Sequence, residues 1–297
     1  MISHLSLKTI KTVSPSVTLK ADANNFEFLV IEHEKLSAAF TLHGGHLVHF
    51  QPTNQPAIIW LSKTALFTES KAIRGGVPIC WPWFGAADPS LGENLPSHGF
   101  ARTSKWSLGN IEESDSGVEL ELKLYSSEET LKLWPYQFEL TLKASLTDQL
   151  KLELVTENKS DQALTYRSAL HTYLNISTPQ SVKVSGLNEQ FYNSLNNRVL
   201  ETGDTTLLIN QAIDSIYRKA SGAILLNDEQ FNRKLSICNT GNDSEVLWSP
   251  WTEGAKAFAD MPDDGYQTML CIESTITDKS GQQVASGETH SLTTLIK

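Results

Sequence analysis

Two side chains in this chain of 297 residues combine proton chemistry with a strand-like setting. His171 lies in Tyr166-Arg-Ser-Ala-Leu-His-Thr-Tyr173, between aromatic residues. An imidazole with an ordinary pKa of about 6.5 exchanges a proton readily near neutral pH. The alternative is a partly buried strand histidine bonded to backbone. Glu273 follows the apolar run Met269-Leu-Cys-Ile272 and is expected to end a buried strand. There a carboxylate is either desolvated, which strengthens it as a base, or turned out to solvent.

A second kind of chemistry sits in residues 73–102. Ile73-Arg-Gly-Gly-Val-Pro-Ile-Cys-Trp-Pro-Trp-Phe-Gly85 and Leu95-Pro-Ser-His-Gly-Phe-Ala-Arg102 crowd guanidinium, imidazole and indole groups among glycines and prolines. Such a segment is expected to be a rigid loop, since Pro removes backbone donors and Gly disfavours regular elements. Arg74 and Arg102 are candidate anion binders, because a planar guanidinium can grip an anion through two bonds. Either could instead serve a structural salt bridge. Gly75 and Gly76 would let backbone approach a ligand, although no GxxxxGK[ST] phosphate loop is present. Trp81, Trp83, Trp248 and Trp251 offer flat faces that could stack on a sugar ring or pack into a core. Asp214 could accept from hydroxyl groups or cap a turn. His43, His46 and His49 are three apart, a spacing that alternates faces on a strand, so no metal site is expected there.

The elements that must position these groups are strands. Apolar and polar residues alternate over 118–125, over 138–146 and again at Leu150, Leu152 and Leu154, the last two segments reading as a hairpin. Residues 26–31 and 36–42 read as another. Residues 127–134 suggest one or two helical turns stopped by Pro135, and 239–244 reads as a loop. Many strands with little helix predict an all-β antiparallel sandwich or barrel in one domain, 1–297.

Composition narrows the classes further. A net charge of −10 argues against nucleic acid or an anionic membrane as partner. Cys80, Cys238 and Cys271 are widely spaced and form no CxxC pair. The N-terminus, Met1-Ile-Ser-His-Leu-Ser-Leu-Lys, lacks the pattern of a signal peptide, and no apolar run approaches the roughly 20 residues that span a bilayer. The expectation is a cytoplasmic protein with reduced thiols, by default a monomer.

Taken together, the blocks resemble the galactose-mutarotase-like superfamily, most closely its glucose-6-phosphate 1-epimerase branch. The matching pieces are Leu42-His-Gly-Gly-His-Leu, residues 72–85 and 95–102, Ala169-Leu-His-Thr-Tyr173, Asp214 with Tyr217, and Asp260-Met-Pro-Asp-Asp-Gly-Tyr266 leading to Glu273. They run in family order from about residue 25 to the C-terminus. The resemblance implies an antiparallel β-supersandwich binding a sugar on a concave face, with no metal or organic cofactor. It makes His171 the general acid and Glu273 the general base. Arg74, Arg102 and Asp214 become substrate-binding residues, and His98 a group that orients or polarises the sugar. Ser97 stands where some members carry a substrate-contacting glutamine, and Trp248-Ser-Pro250 replaces a Trp-Asn-Pro found in others. The expected activity is interconversion of the α and β anomers of a hexose 6-phosphate. An epimerase of unphosphorylated galactose or glucose and a non-catalytic carbohydrate binder are the alternatives.

Overall fold

The computed structural model describes residues 5–69 and 71–297. Residues 1–4, the start of the stretch read for a targeting signal, lie outside the described residues. Among the described residues, no helix is long and apolar enough to cross a membrane.

Alternation becomes strand almost everywhere it was read. Gly117–Tyr125 buries Val118, Leu120, Leu122 and Leu124. Phe138–Leu146 and Leu150–Asn158 pair as a hairpin with Leu146 opposite Leu150. These strands belong to a nine-stranded antiparallel sheet running from Thr206–Leu208 at one edge to Ser107–Ser114 at the other. A five-stranded meander, from Lys8–Ser14 to His46–Pro52, contains the expected pairing of Glu27–His33 with Leu36–Thr41.

The third large sheet carries the chemistry. Its central strand, Met269–Ile276, is buried at every position and is flanked by Ser244–Ser249 on one side. On the other side lie two short strands, Ser168–Leu170 and Tyr173–Asn175. Because side chains alternate along a strand, Leu270, Ile272 and Ile276 join an apolar cluster shared with the other two large sheets. Cys271 and Glu273 face the opposite way. The all-β antiparallel expectation therefore holds, and the two faces of one strand divide core from cavity.

Several local readings are corrected. Glu273 lies inside its strand and does not end it. The polar residues that looked like a stop are satisfied within the sheet: Ser274 Oγ donates to the Thr293 carbonyl at 3.1 Å, and Thr275 Oγ1 to that of Ser244 at 2.9 Å. Trp81 and Trp83 are core residues, with no face for a ligand. The Trp81 ring is wedged against Phe100, Trp134 and Phe138. The loop read over 239–244 is confined to residues 241–243, between Arg233–Thr240 and Ser244–Ser249.

The helix Glu128–Leu133 begins at Ser127 through a capping box with Thr130, and Trp134 ends it ahead of Pro135. A second helix, Trp251–Ala257, follows Pro250 and has no signal in the periodicity because Gly254 interrupts it. The segment 73–102 is irregular as expected, with one two-residue strand and two single turns.

Candidate active site

The strand register places the site. Asp214 lies opposite Trp248, Trp248 opposite Cys271, and Cys271 opposite Tyr173, so these four side chains form one row across the sheet. Val246 and Glu273 face each other in the next row. His171 falls in the gap between the short strands on either side of it, on the edge facing Glu273. Its backbone N–H leaves the ladder and donates to the Pro78 carbonyl at 3.1 Å. These rows floor a cavity of about 310 Å³, walled by Arg74, Pro78, Phe84, His98, Arg102 and Phe258.

At the centre, His171 Nε2 lies 3.4 Å from Glu273 Oε1. That separation is slightly longer than a formed hydrogen bond. Two atoms of the pair, His171 Nδ1 and Glu273 Oε2, are buried without a hydrogen-bond partner among the described residues. Burial pushes the Glu273 carboxyl well above the usual carboxylate range, and the Asp214 charge adds to the effect. Burial likewise pushes the His171 imidazole well below its ordinary value, helped by His98, Arg102 and Arg74. Attraction between a charged histidine and a charged glutamate at this distance opposes both shifts. The neutral pair and the ion pair contain the same number of protons, so the two groups together hold one mobile proton.

The His171 ring is held by packing. Tyr173 stacks on it and Trp248 meets it edge-on at 5.9 Å. His98 stands across the cavity, with ring centroids 6.3 Å apart. His98 Nδ1 accepts from the Gly85 amide at 3.2 Å, so in the neutral ring the proton sits on Nε2. Burial and the charges of Arg102 and Arg74 lower its pKa to about 4. At neutral pH His98 is an uncharged hydrogen-bond donor.

The two arginines are not equivalent. Arg74 Nε donates to Asp260 Oδ1 at 3.1 Å, Nη1 to the Tyr173 hydroxyl at 3.3 Å, and the guanidinium lies 4.0 Å above the Phe258 ring. Arg102 has no carboxylate partner among the described residues; its Nη2 donates to the Ser97 carbonyl at 2.8 Å. Ser97 itself is exposed and lies outside the cavity wall, its hydroxyl donating to the Gly85 carbonyl at 3.3 Å. The left-handed backbone at His98, φ 62°, turns the chain so that His98 faces the cavity where Ser97 does not. Asp214 sits within the strand Ile213–Arg218, its carboxyl is hydrogen-bonded by Ser194 of the turn Ser194–Asn196, and burial raises its pKa.

Sequence reading left out Tyr173, Asp260 and Phe258 as site residues. Tyr173 was visible as an aromatic beside His171, and Asp260 as part of a matching block, but neither spacing disclosed contact with Arg74. The histidine-rich segment also acquires a role. His46 Nε2 donates to the Gly75 carbonyl at 2.8 Å and His43 Nε2 to that of Lys71 at 3.1 Å, so both brace the Arg74 loop from beneath. Gly76 adopts φ 69° there, and a Cβ would overlap the Leu47 carbonyl and the His46 ring.

The chain is similar to known proteins over most of its length. The family model described as aldose 1-epimerase matches residues 27–297. A protein of Escherichia coli K12 that carries the provisional name glucose-6-phosphate 1-epimerase is 35% identical, over 90% of this chain and 89% of its own. A Salmonella typhimurium protein with the same provisional name is 36% identical over the same shares. The crystal structure of a provisionally named mutarotase, YeaD, from Salmonella typhimurium superposes with a TM-score of 0.92 at 32% identity, covering 98% of this chain and 96% of the other. The chain belongs to the aldose 1-epimerase family.

Proposed function

We propose that the protein interconverts the α and β anomers of a hexose 6-phosphate, most simply glucose 6-phosphate. The observation that carries the reading is the buried His171–Glu273 pair, 3.4 Å apart, in a cavity that also presents Arg102, which has no carboxylate partner among the described residues. Glu273 as carboxylate takes the proton of the anomeric hydroxyl while His171, protonated, delivers one to the ring oxygen. The bond from the anomeric carbon to that oxygen breaks, giving the open aldehyde. Rotation presents the other carbonyl face, and the two transfers run backwards to close the ring. No net proton is consumed, which suits a pair that holds one between them.

Substrate hydroxyls entering the cavity supply the partners that His171 and Glu273 lack and favour the charged form of the pair. Neutral His98 donates through Nε2 to a sugar oxygen, and Asp214 accepts from a hydroxyl. Arg102 attracts the phosphate against the global charge of −10. Arg74, already neutralised by Asp260, offers its remaining N–H groups to the sugar. Names carried by the relatives support the phosphorylated substrate.

Turnover of glucose 6-phosphate and of glucose by the purified protein, followed by polarimetry or exchange spectroscopy, tests the reading. Faster anomerisation of glucose 6-phosphate at low substrate is expected. Equal rates on both sugars would make the protein an epimerase of unphosphorylated aldoses, and no acceleration of either would leave a binding protein.

A further inference from the structure

We propose that His171, Cys271 and Glu273 form a binding site for a borderline-soft divalent cation of the zinc type, and that its occupation switches the protein off. Cys271 precedes Glu273 by two residues on one buried strand, so thiol and carboxylate project from the same face. An imidazole nitrogen of His171, the Cys271 sulfur and a Glu273 oxygen all lie within 4.8 Å of one another.

The spacing suits one metal in particular. Zinc bonds of about 2.0–2.3 Å at a tetrahedral angle put neighbouring donors roughly 3.3–3.6 Å apart. His171 Nε2 and Glu273 Oε1 already stand at 3.4 Å. The sulfur, within 4.8 Å of a donor atom of each, then needs to approach by up to roughly 1.5 Å to complete three corners. One nitrogen, one sulfur and one oxygen donor select zinc over magnesium or calcium, which take oxygen alone. His171 and Glu273 line the cavity and Cys271 lies beneath it, so an ion held by the three would meet water or a competing ligand from the cavity side.

Two further observations bear on the site. Glu273 is 1% exposed, and its Oε2 faces no donor, so a buried carboxylate there lacks compensation that a cation would supply. Against this stands the positive charge of Arg102, whereas that of Arg74 is offset by Asp260. The site is therefore one for reversible occupation. Binding releases the Cys271 proton to solvent and engages the lone pairs that His171 and Glu273 would use to move a proton, so ion and sugar exclude each other. The inhibition part of this inference rests on the catalytic reading above; the binding part does not.

The test uses the full chain after exhaustive chelation, titrated with zinc chloride in a calorimeter and with cobalt(II) chloride in a spectrophotometer. One ion per chain is expected, with a thiolate-to-cobalt charge-transfer band that glucose 6-phosphate removes. Cys271→Ser and Cys271→Ala should each lose the band and weaken zinc binding at least tenfold, while Cys238→Ser keeps both. Should neither Cys271 variant fold, the band of the unaltered protein and its displacement by substrate still decide the matter. Absence of stoichiometric binding, a cobalt complex without the thiolate band, or undiminished zinc binding by folded Cys271→Ala overturns the proposal. An active epimerase indifferent to zinc would end this inference and leave the proposed function standing; zinc binding by a protein with no epimerase activity would do the reverse.

Discussion

Tyr173 lies flat against His171, their ring centroids 4.8 Å apart and their planes 9° from parallel. The other face of Tyr173 stacks on Trp60 at 5.8 Å, and its hydroxyl accepts from Arg74, which is ion-paired with Asp260. Among the described residues His171 Nδ1 has no side-chain partner, so aromatic contact contributes to fixing the plane of the imidazole. The connected set Asp260, Arg74, Tyr173 and His171 thus ties the cavity's rim to its proposed acid.

Shortening Tyr173 separates the two parts of its contribution. Tyr173→Phe keeps the stack and loses only the bond to Arg74, so kcat should fall by a few-fold. Tyr173→Leu frees the imidazole to rotate, and a loss of about tenfold in kcat, or 1.4 kcal/mol in the barrier, is expected. Steady-state anomerisation of the two variants compares them directly; equal losses would show that the stack contributes nothing.

Removal of the proton-transfer groups should act on rate and stability in opposite ways. Glu273→Gln and His171→Asn are each expected to lower kcat by roughly a hundredfold to ten-thousandfold. Glu273→Gln also removes a carboxyl whose folded form already favours its proton, so the melting temperature should hold or rise. A near-normal rate in either folded variant would exclude that residue from the chemistry.

How far the sequence disclosed this arrangement depended on how local the signal was. The hairpin of Phe138–Leu146 with Leu150–Asn158 was legible because alternation needs only neighbours in the chain, and the helical turns over 127–134 for the same reason. Glu273 was found, yet misplaced at a strand end, since Ser274 and Thr275 look like a turn until their hydroxyls meet carbonyls from Thr293 and Ser244. Trp81 stayed undecided because an indole suits a core and a sugar platform equally well. The pairing of Arg74 with Asp260 spans 186 positions, and no periodicity carries information over that distance.

Acid should unfold the protein earlier than its carboxylates alone require. Burial lowers His46 to about 3 and His49 to about 4, while an unfolded imidazole titrates near 6.5. Their folded pKa values are depressed, so the stability they contribute is complete above about pH 6.5 and is lost as pH falls toward about 4 for His49 and about 3 for His46. Each adds a slope of up to about 1.4 kcal/mol per pH unit in that window. Urea unfolding at several pH values should show the slope, and it should flatten in His46→Asn; an unchanged slope would place His46 outside the effect.

Substrate choice should divide between the two arginines. Arg102→Ala is expected to raise KM for glucose 6-phosphate by about tenfold or more and to leave glucose nearly unaffected, as loss of one charge-assisted contact would do. Asp260→Asn, by unpinning Arg74, should weaken both sugars to a similar degree. Parallel kinetics on both substrates distinguish these outcomes, and equal losses from Arg102→Ala would remove it as the phosphate ligand.

Glu273 occupies a fully buried strand hydrogen-bonded on both sides, the kind of core strand whose opening free energy approaches that of global unfolding. Catalytic competence and global integrity therefore share one cooperative unit. Heat should not produce a folded but inactive form: inactivation and loss of β structure should follow a single curve, so a residual-activity measurement can serve as a gauge of the native population.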